Sequence, residues 1–145
     1  ENRFMDGLES LGEKMSRRSK EIDRNVNKLV KEVALTVHQT VVVATPIDEG
    51  HAKSNWRLAL GSPLPGTITA YSPNGGAVTN EIAAIEQARG AVRGRKLGQP
   101  VSIGNNLPYI GKLNSGSSRQ APEMFVQMAL LSGIVKVAKA RIVRC

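Results

Sequence analysis

Thr45-Pro46-Ile47-Asp48-Glu49-Gly50-His51-Ala52-Lys53-Ser54-Asn55-Trp56 divides the chain into a long helical part and a mixed remainder. Pro46 pushes Thr45 out of the helical region and stops any helix arriving from the N-terminal side. Asp48 is a turn residue whose carboxylate accepts backbone N–H bonds, and Gly50 supplies a conformation that other residues resist. From Lys53 to Leu60 the pattern alternates loosely and ends at Gly61-Ser62-Pro63, which predicts a strand carrying Trp56.

On the N-terminal side, Leu8, Leu11, Met15, Ile22, Val26, Leu29, Val33, Val37 and Val41 recur at spacings dominated by three and four. That is one apolar stripe at the helix period, and it predicts a helix ending at Ala44. Arg17, Arg18, Lys20, Glu21, Arg24 and Lys28 form a solvated face between the apolar positions. Gly7 and Gly12 weaken the first turns, so the firm helix is expected from Met15, with residues 1–14 as a flexible extension. The stripe needs a partner, either the domain's own sheet or a neighbouring subunit.

On the C-terminal side, Thr67 to Tyr71 reads as a second short strand, closed by Ser72-Pro73-Asn74-Gly75-Gly76. Asn80 to Ala91 reads as a short helix capped by Asn80. Gly90 to Gly98 is glycine-rich and basic and reads as a mobile loop. Val101-Ser102-Ile103 is a strand turned by Asn105-Asn106, and Tyr109 to Leu113 continues as a short strand or turn. Gln120-Ala121-Pro122 opens the last helix, with Pro122 near its first turn and Phe125, Met128, Ala129 and Val135 on one face. The expected fold is one α+β domain over residues 1–145: a long N-terminal helix, a small mostly antiparallel sheet, a short middle helix and a C-terminal helix.

Composition bounds the function. The 145 residues are 41% hydrophobic and 22% charged, a globular balance with room for a core. Only 3% are aromatic, so the core must rest on Val, Leu, Ile and Ala. The net charge of +8 favours polyanions, whether nucleic acid, an acidic protein face or anionic lipid, without choosing among them. The lone cysteine, Cys145, allows no intrachain disulfide and suits a reducing compartment. No apolar run approaches the roughly 18 residues of a membrane span, so no membrane is expected as a partner. The opening Glu1-Asn2-Arg3-Phe4-Met5-Asp6 does not read as a signal peptide.

Catalytic readings are weak. Asp48, Glu49 and His51 stand close together, but a metal site needs three or four convergent ligands and the other histidine, His38, sits inside the long helix. The turn reading is preferred, and no metal or cofactor is expected. Ser117 and Ser118 lack a Gly-x-Ser-x-Gly elbow, and the basic glycine-rich stretch lacks the Gly-Lys-Ser/Thr ending of a phosphate loop. Trp56 is expected in the core with its N–H bonded, and Tyr109 as a similar buried ring. Arg89, Arg93, Arg95 and Lys96 place four cations in eight residues, a candidate contact for DNA or an acidic subunit face. No helix-turn-helix spacing, zinc finger or stacking motif accompanies them.

Taken in order, a long amphipathic helix, Thr-Pro-Ile-Asp-x-Gly, Ser-Asn-Trp, then Asn105-Asn106-Leu107-Pro108-Tyr109-Ile110 and Gly116-Ser117-Ser118-Arg119-Gln120-Ala121-Pro122 resemble the tail-completion, or minor tail and neck, family of long-tailed bacteriophages. The resemblance runs from about Val33 to Val135. It rests on Thr45, Pro46, Asp48, Gly50, Asn55, Trp56, Asn106, Pro108, Tyr109, Gly116, Ser118, Gln120 and Pro122. Glu49 stands where the family usually has a small hydroxyl residue, and Asn114 where it has an acid.

The resemblance implies a virion structural protein without a catalytic centre, assembled in the host cytoplasm. It implies a ring of copies, expected as a hexamer, that completes or terminates the tail tube. The partners would be tail tube protein, head–tail connector or adaptor proteins, and phage DNA in the channel. A closed ring needs a heterologous interface repeated about an axis, and the helix stripe and loops are natural material for it. Three other readings stay open: a head–tail adaptor or stopper below the portal, a small basic nonspecific DNA-binding protein, and a hydrolase built on Asp48, Glu49 and His51.

Overall fold

The computed structural model describes residues 2–46, 50–117, 119 and 121–142. The protein is α+β, with element order α1 (Asn2–Ala44), α2 (His51–Ser54), β1 (Arg57–Leu60), α3 (Gly76–Arg93), β2 (Val101–Gly104), α4 (Ile110–Asn114) and α5 (Phe125–Lys139). β1 and β2 pair antiparallel, with Leu58 opposite Ile103 and Leu60 opposite Val101.

α1 is a single helix of 43 residues, roughly 65 Å long at 1.5 Å per residue. It starts at Asn2 rather than at Met15, because Gly7 and Gly12 each cost only about 1 kcal/mol of helix propensity and neither is followed by a breaker. It stops where Pro46 requires. Thr45 bonds Val41 O through both its backbone N–H and its hydroxyl, closing the last turn.

Burial divides α1 into two parts. Residues 2–21 are exposed throughout. Ala34, His38, Val41 and Val42 are buried in the body of the fold. Val41 and Val42 join Ala52, Trp56, Ala84, Leu107, Phe125 and Ala129 in one core cluster, while Ala34, Leu58, Ala88 and Val92 form a second beneath the sheet. α5 returns antiparallel along α1: Thr40 and Ser132 hydroxyls meet near one end, and Asn25 Nδ2 donates to Ile142 O beyond the other. Gly133 sets the closeness of that packing, since a β-carbon there would lie 2.6 Å from Val37 Cγ2.

Several local expectations are overturned. Lys53 and Ser54 close the short helix α2, and the strand begins only at Arg57, with Trp56 between them. Residues 67–71 form no strand. The side-chain amide of Asn55 accepts from Ile68 N and donates to Ile68 O, so one side chain supplies both bonds that a neighbouring strand would. Gln87 of α3 does the same for Leu58, covering the free edge of β1.

α3 is 18 residues long, not a short helix, and begins four residues before Asn80, which lies buried within it rather than capping it. Tyr109 is the residue before the short helix α4, in place of the strand or turn expected over 109–113. α5 starts at Phe125, three residues after Pro122. Its entry is set by Met124, left-handed at φ 60°, and by Asn114, which accepts Met124 N at its carbonyl and Val126 N at its side chain. The cap therefore comes from another helix rather than from the local sequence, and proline chemistry alone could not place it.

Candidate functional site

The two segments that carry the resemblance meet at the C-terminal end of α1. Trp56 is buried and its Nε1 donates to Thr45 Oγ1 at 2.8 Å, tying the end of α1 to the start of β1. His38 Nε2 lies 2.8 Å from the carbonyl oxygen of the same Trp56. A carbonyl only accepts, so Nε2 carries the ring proton. Burial holds the His38 pKa below the ordinary histidine value, partly offset by this bond.

Lys53 is the least expected member. Its side chain is 2% exposed, and its ammonium donates to Val42 O at 3.0 Å, Val43 O at 3.1 Å and Glu81 Oε1 at 2.7 Å. The carbonyls are two of the orphan acceptors at the end of α1, where a cation also suits the helix dipole. Sequence reading missed it because a lysine in an expected strand reads as solvated. Its available signal was a position just past a proline-stopped helix.

Asn80 is the second hub. Its Oδ1 accepts from Ser54 Oγ and Ser72 N, and its Nδ2 donates to Ser72 O and Gly76 O. Four partners satisfy the buried amide completely. Gly50, at φ 74°, lies against this side chain with no room for a β-carbon. The second segment joins here: Asn105 Nδ2 donates to Ala52 O, and Asn106 Nδ2 reaches Leu64 O and Gly66 O. Leu107, Ile110 and Ala121 pack into the same core cluster as Trp56, with Tyr109 partly buried against it.

Thr45, Pro46, Gly50, Asn55, Trp56, Asn106 and Tyr109 are therefore brought into one knot. Pro108 and Pro122 lie exposed at its edge, and Gly116 takes a left-handed conformation at φ 89° over Glu123. Asp48, Ser118 and Gln120 lie outside the described residues, as does Glu49 of the acid cluster with His51. The knot's side chains bond the end of α1, the short helix α2 and the backbone of residues 64–68. Among the described residues no group of three acids, histidines or cysteines stands together.

The four cations separate into different roles. Arg89 pairs with Glu86 at 3.1 Å on the surface of α3. Residues 90–93 are the last turn of α3, not a loop. Arg95 is buried: its Nε donates to Gln99 O, its Nη1 bonds Asn27 Oδ1, and Asn27 Nδ2 returns to Arg95 O. It fastens the turn after α3 onto α1 and is not available to an anion. Arg93 and Lys96 remain exposed, beside Lys31, whose ammonium donates to Arg93 O.

Two surfaces stand apart for their apolarity. On the projecting part of α1, Phe4, Met5, Leu8, Leu11 and Met15 are all about half or more exposed. On α5, Phe125, Ala129 and Gly133 face α1, while Met128, Leu130, Leu131, Ile134, Val135 and Val137 face outward, each at least half exposed. α5 is thus apolar on its outward side as well as its inward one, with Gln127, Ser132, Lys136 and Lys139 as its polar residues, a pattern close to that of a helix covered on both sides. No helix of the described residues is long and apolar enough to cross a membrane. The chain matches no family model, no curated protein and no solved structure.

Proposed function

We propose that this protein is a structural subunit of the bacteriophage head–tail junction, one that forms a ring around the DNA channel and completes or terminates the tail tube. The observation that carries the reading is the meeting of its two signature segments: Asn105 bonds Ala52, and Leu107 and Ala121 pack beside Trp56, although about fifty residues separate the segments. Their side chains serve a rigid internal knot, which suits a subunit whose work is done by its outer surfaces. The partners on this reading are further copies of the chain, in a six-fold ring, with tail tube protein on one side and connector proteins on the other.

The test is native mass by light scattering together with negative-stain imaging, on the protein alone and mixed with tail tubes. Rings, or density capping a tube end, support the proposal. Rings that bind portal complexes and ignore tubes move the protein to the adaptor position. A persistent monomer that ignores tubes and binds DNA with steep salt dependence overturns the proposal in favour of a basic DNA-binding protein, the class favoured by the +8 charge.

A further inference from the structure

We infer that the projecting N-terminal part of α1 docks on the outward face of α5 of a second copy, so that each copy gives an arm to one neighbour and receives an arm from another. This deepens the ring reading, but rests only on its premise that copies associate, not on any place in a virion.

Three observations choose the occupant. The first is continuity with a seam the protein already builds. Leu29, Val33 and Val37 lie on the stripe of α1 along which α5 packs, with Gly133 pressed against Val33 and Val37. That stripe continues at the same spacing through Ile22, Met15, Leu11, Leu8 and Phe4. α5 does not follow it: the helix ends at Lys139, and Ile142 lies beside Asn25. The exposed stretch thus continues the stripe that packs a helix further along α1.

The second observation is that α5 has the complementary need. Met128, Leu130, Leu131, Ile134, Val135 and Val137 lie exposed on the side of α5 turned from α1, with the polar Gln127 among them only in the first turn, an apolar surface of the kind that marks an interaction site. The two faces also match in size: the exposed arm of 20 residues spans roughly 30 Å, and the 15 residues of α5 roughly 22 Å. They cannot meet within one copy, since the arm projects beyond the end of α5 and the outward face of α5 points away from α1.

The third concerns pairing like with like. In a parallel arm-to-arm coiled coil the stripe positions Phe4, Leu8, Leu11, Met15, Arg18 and Ile22 would form the seam, setting Arg18 against its own copy. Such pairing also leaves α5 uncovered. Arm-to-α5 pairing covers both faces with one contact. Met5, Gly12, Ser16 and Ser19 give the arm an uncharged flank on which the second helix can approach closely. A contact of two different surfaces is heterologous, and repeated it closes a ring or runs on as a filament.

Two variants of the full chain decide the matter, each read by light scattering. Leu8→Glu/Leu11→Glu spoils the arm and keeps α5. Leu131→Glu/Ile134→Glu spoils α5 and keeps the arm. All four side chains are about half exposed or more, so both variants should keep the circular dichroism and melting midpoint of the parent. Should a glutamate variant unfold, serine at the same positions replaces it.

The parent is expected to form oligomers and each variant alone to be monomeric. An equimolar mixture should give a dimer and nothing larger, since only one intact arm and one intact receiving face remain per pair. A dimer of the α5 variant alone would show arm-to-arm pairing, and a dimer of the arm variant alone would show α5-to-α5 pairing. Either result overturns the inference, as does a parent that stays monomeric or a mixture that does. Oligomers assembled as inferred that nonetheless ignore tail tubes would leave the contact standing and remove the virion reading.

Discussion

Gly50 sits directly against the side-chain amide of Asn80, and the space between them cannot hold a β-carbon. Gly50 is also left-handed, at φ 74°. Two independent costs therefore fall on any substitution. Gly50→Ala is expected to lose about 2–4 kcal/mol, from the left-handed backbone and from displacement of a fully bonded asparagine. Urea denaturation checks it. Gly61→Ala provides the comparison, because Gly61 has a similar φ of 82° but open space around it, and it should lose only the backbone part.

The buried ammonium of Lys53 makes a different prediction. Lys53→Met keeps most of the volume and removes three hydrogen bonds, leaving Glu81 and the last carbonyls of α1 without their cation. The expected loss is about 3 kcal/mol. Glu81→Gln keeps an acceptor oxygen facing Lys53 and should lose about 1 kcal/mol. The order of the two, measured by thermal unfolding, tests whether the helix-end carbonyls contribute beyond the ion pair.

His38 predicts an acid limb in stability. It is buried with its pKa depressed, chiefly by desolvation, so the native state resists a proton that the unfolded chain accepts near pH 6.5. The unfolded state then binds more protons, and stability rises with pH across that interval. The contribution is fully present above about pH 6.5 and is lost as pH falls toward the depressed native value. His38→Gln, whose amide can still donate to Trp56 O, should flatten the limb between pH 7 and 5 in a series of urea midpoints. An unchanged limb would assign it to other groups.

Arg95 and its neighbours separate structure from surface. Arg95→Ala should lose about 1–2 kcal/mol by releasing Asn27 and Gln99, and Arg95→Lys should not restore it, since lysine cannot reproduce the guanidinium fork. Arg93→Ala and Lys96→Ala should change stability by less than about 0.5 kcal/mol. If the protein touches DNA, those two should instead lower the salt slope of the affinity, which filter binding at several salt concentrations would read.

The long helix was legible because its spacing persists over nine apolar positions and its stop is a proline, both local properties of the chain. Val101-Ser102-Ile103 was legible as a strand for the same reason. The strand expected over residues 67–71 was not realised, because Asn55 and Ser54, distant by more than a dozen residues, bond its backbone instead. The cap predicted at Asn80 failed because α3 starts four residues earlier, and the residue's four bonds are made to Ser54, Ser72 and Gly76. Four cations in eight residues looked like one site, yet burial against Asn27 removes Arg95 from it.

What the sequence by itself determined is the α+β class, the helix up to Ala44, the break at Pro46 and the burial of Trp56 with its N–H bonded. Each follows from short-range sterics or hydrophobic period, which act between residues a few positions apart. Tertiary structure alone decided that α5 packs on α1 only as far back as Leu29, that Lys53 ends the long helix from within, and that two apolar helix faces remain on the outside. Those outcomes depend on which distant surfaces reach one another first, and no periodicity within a single segment encodes its partner.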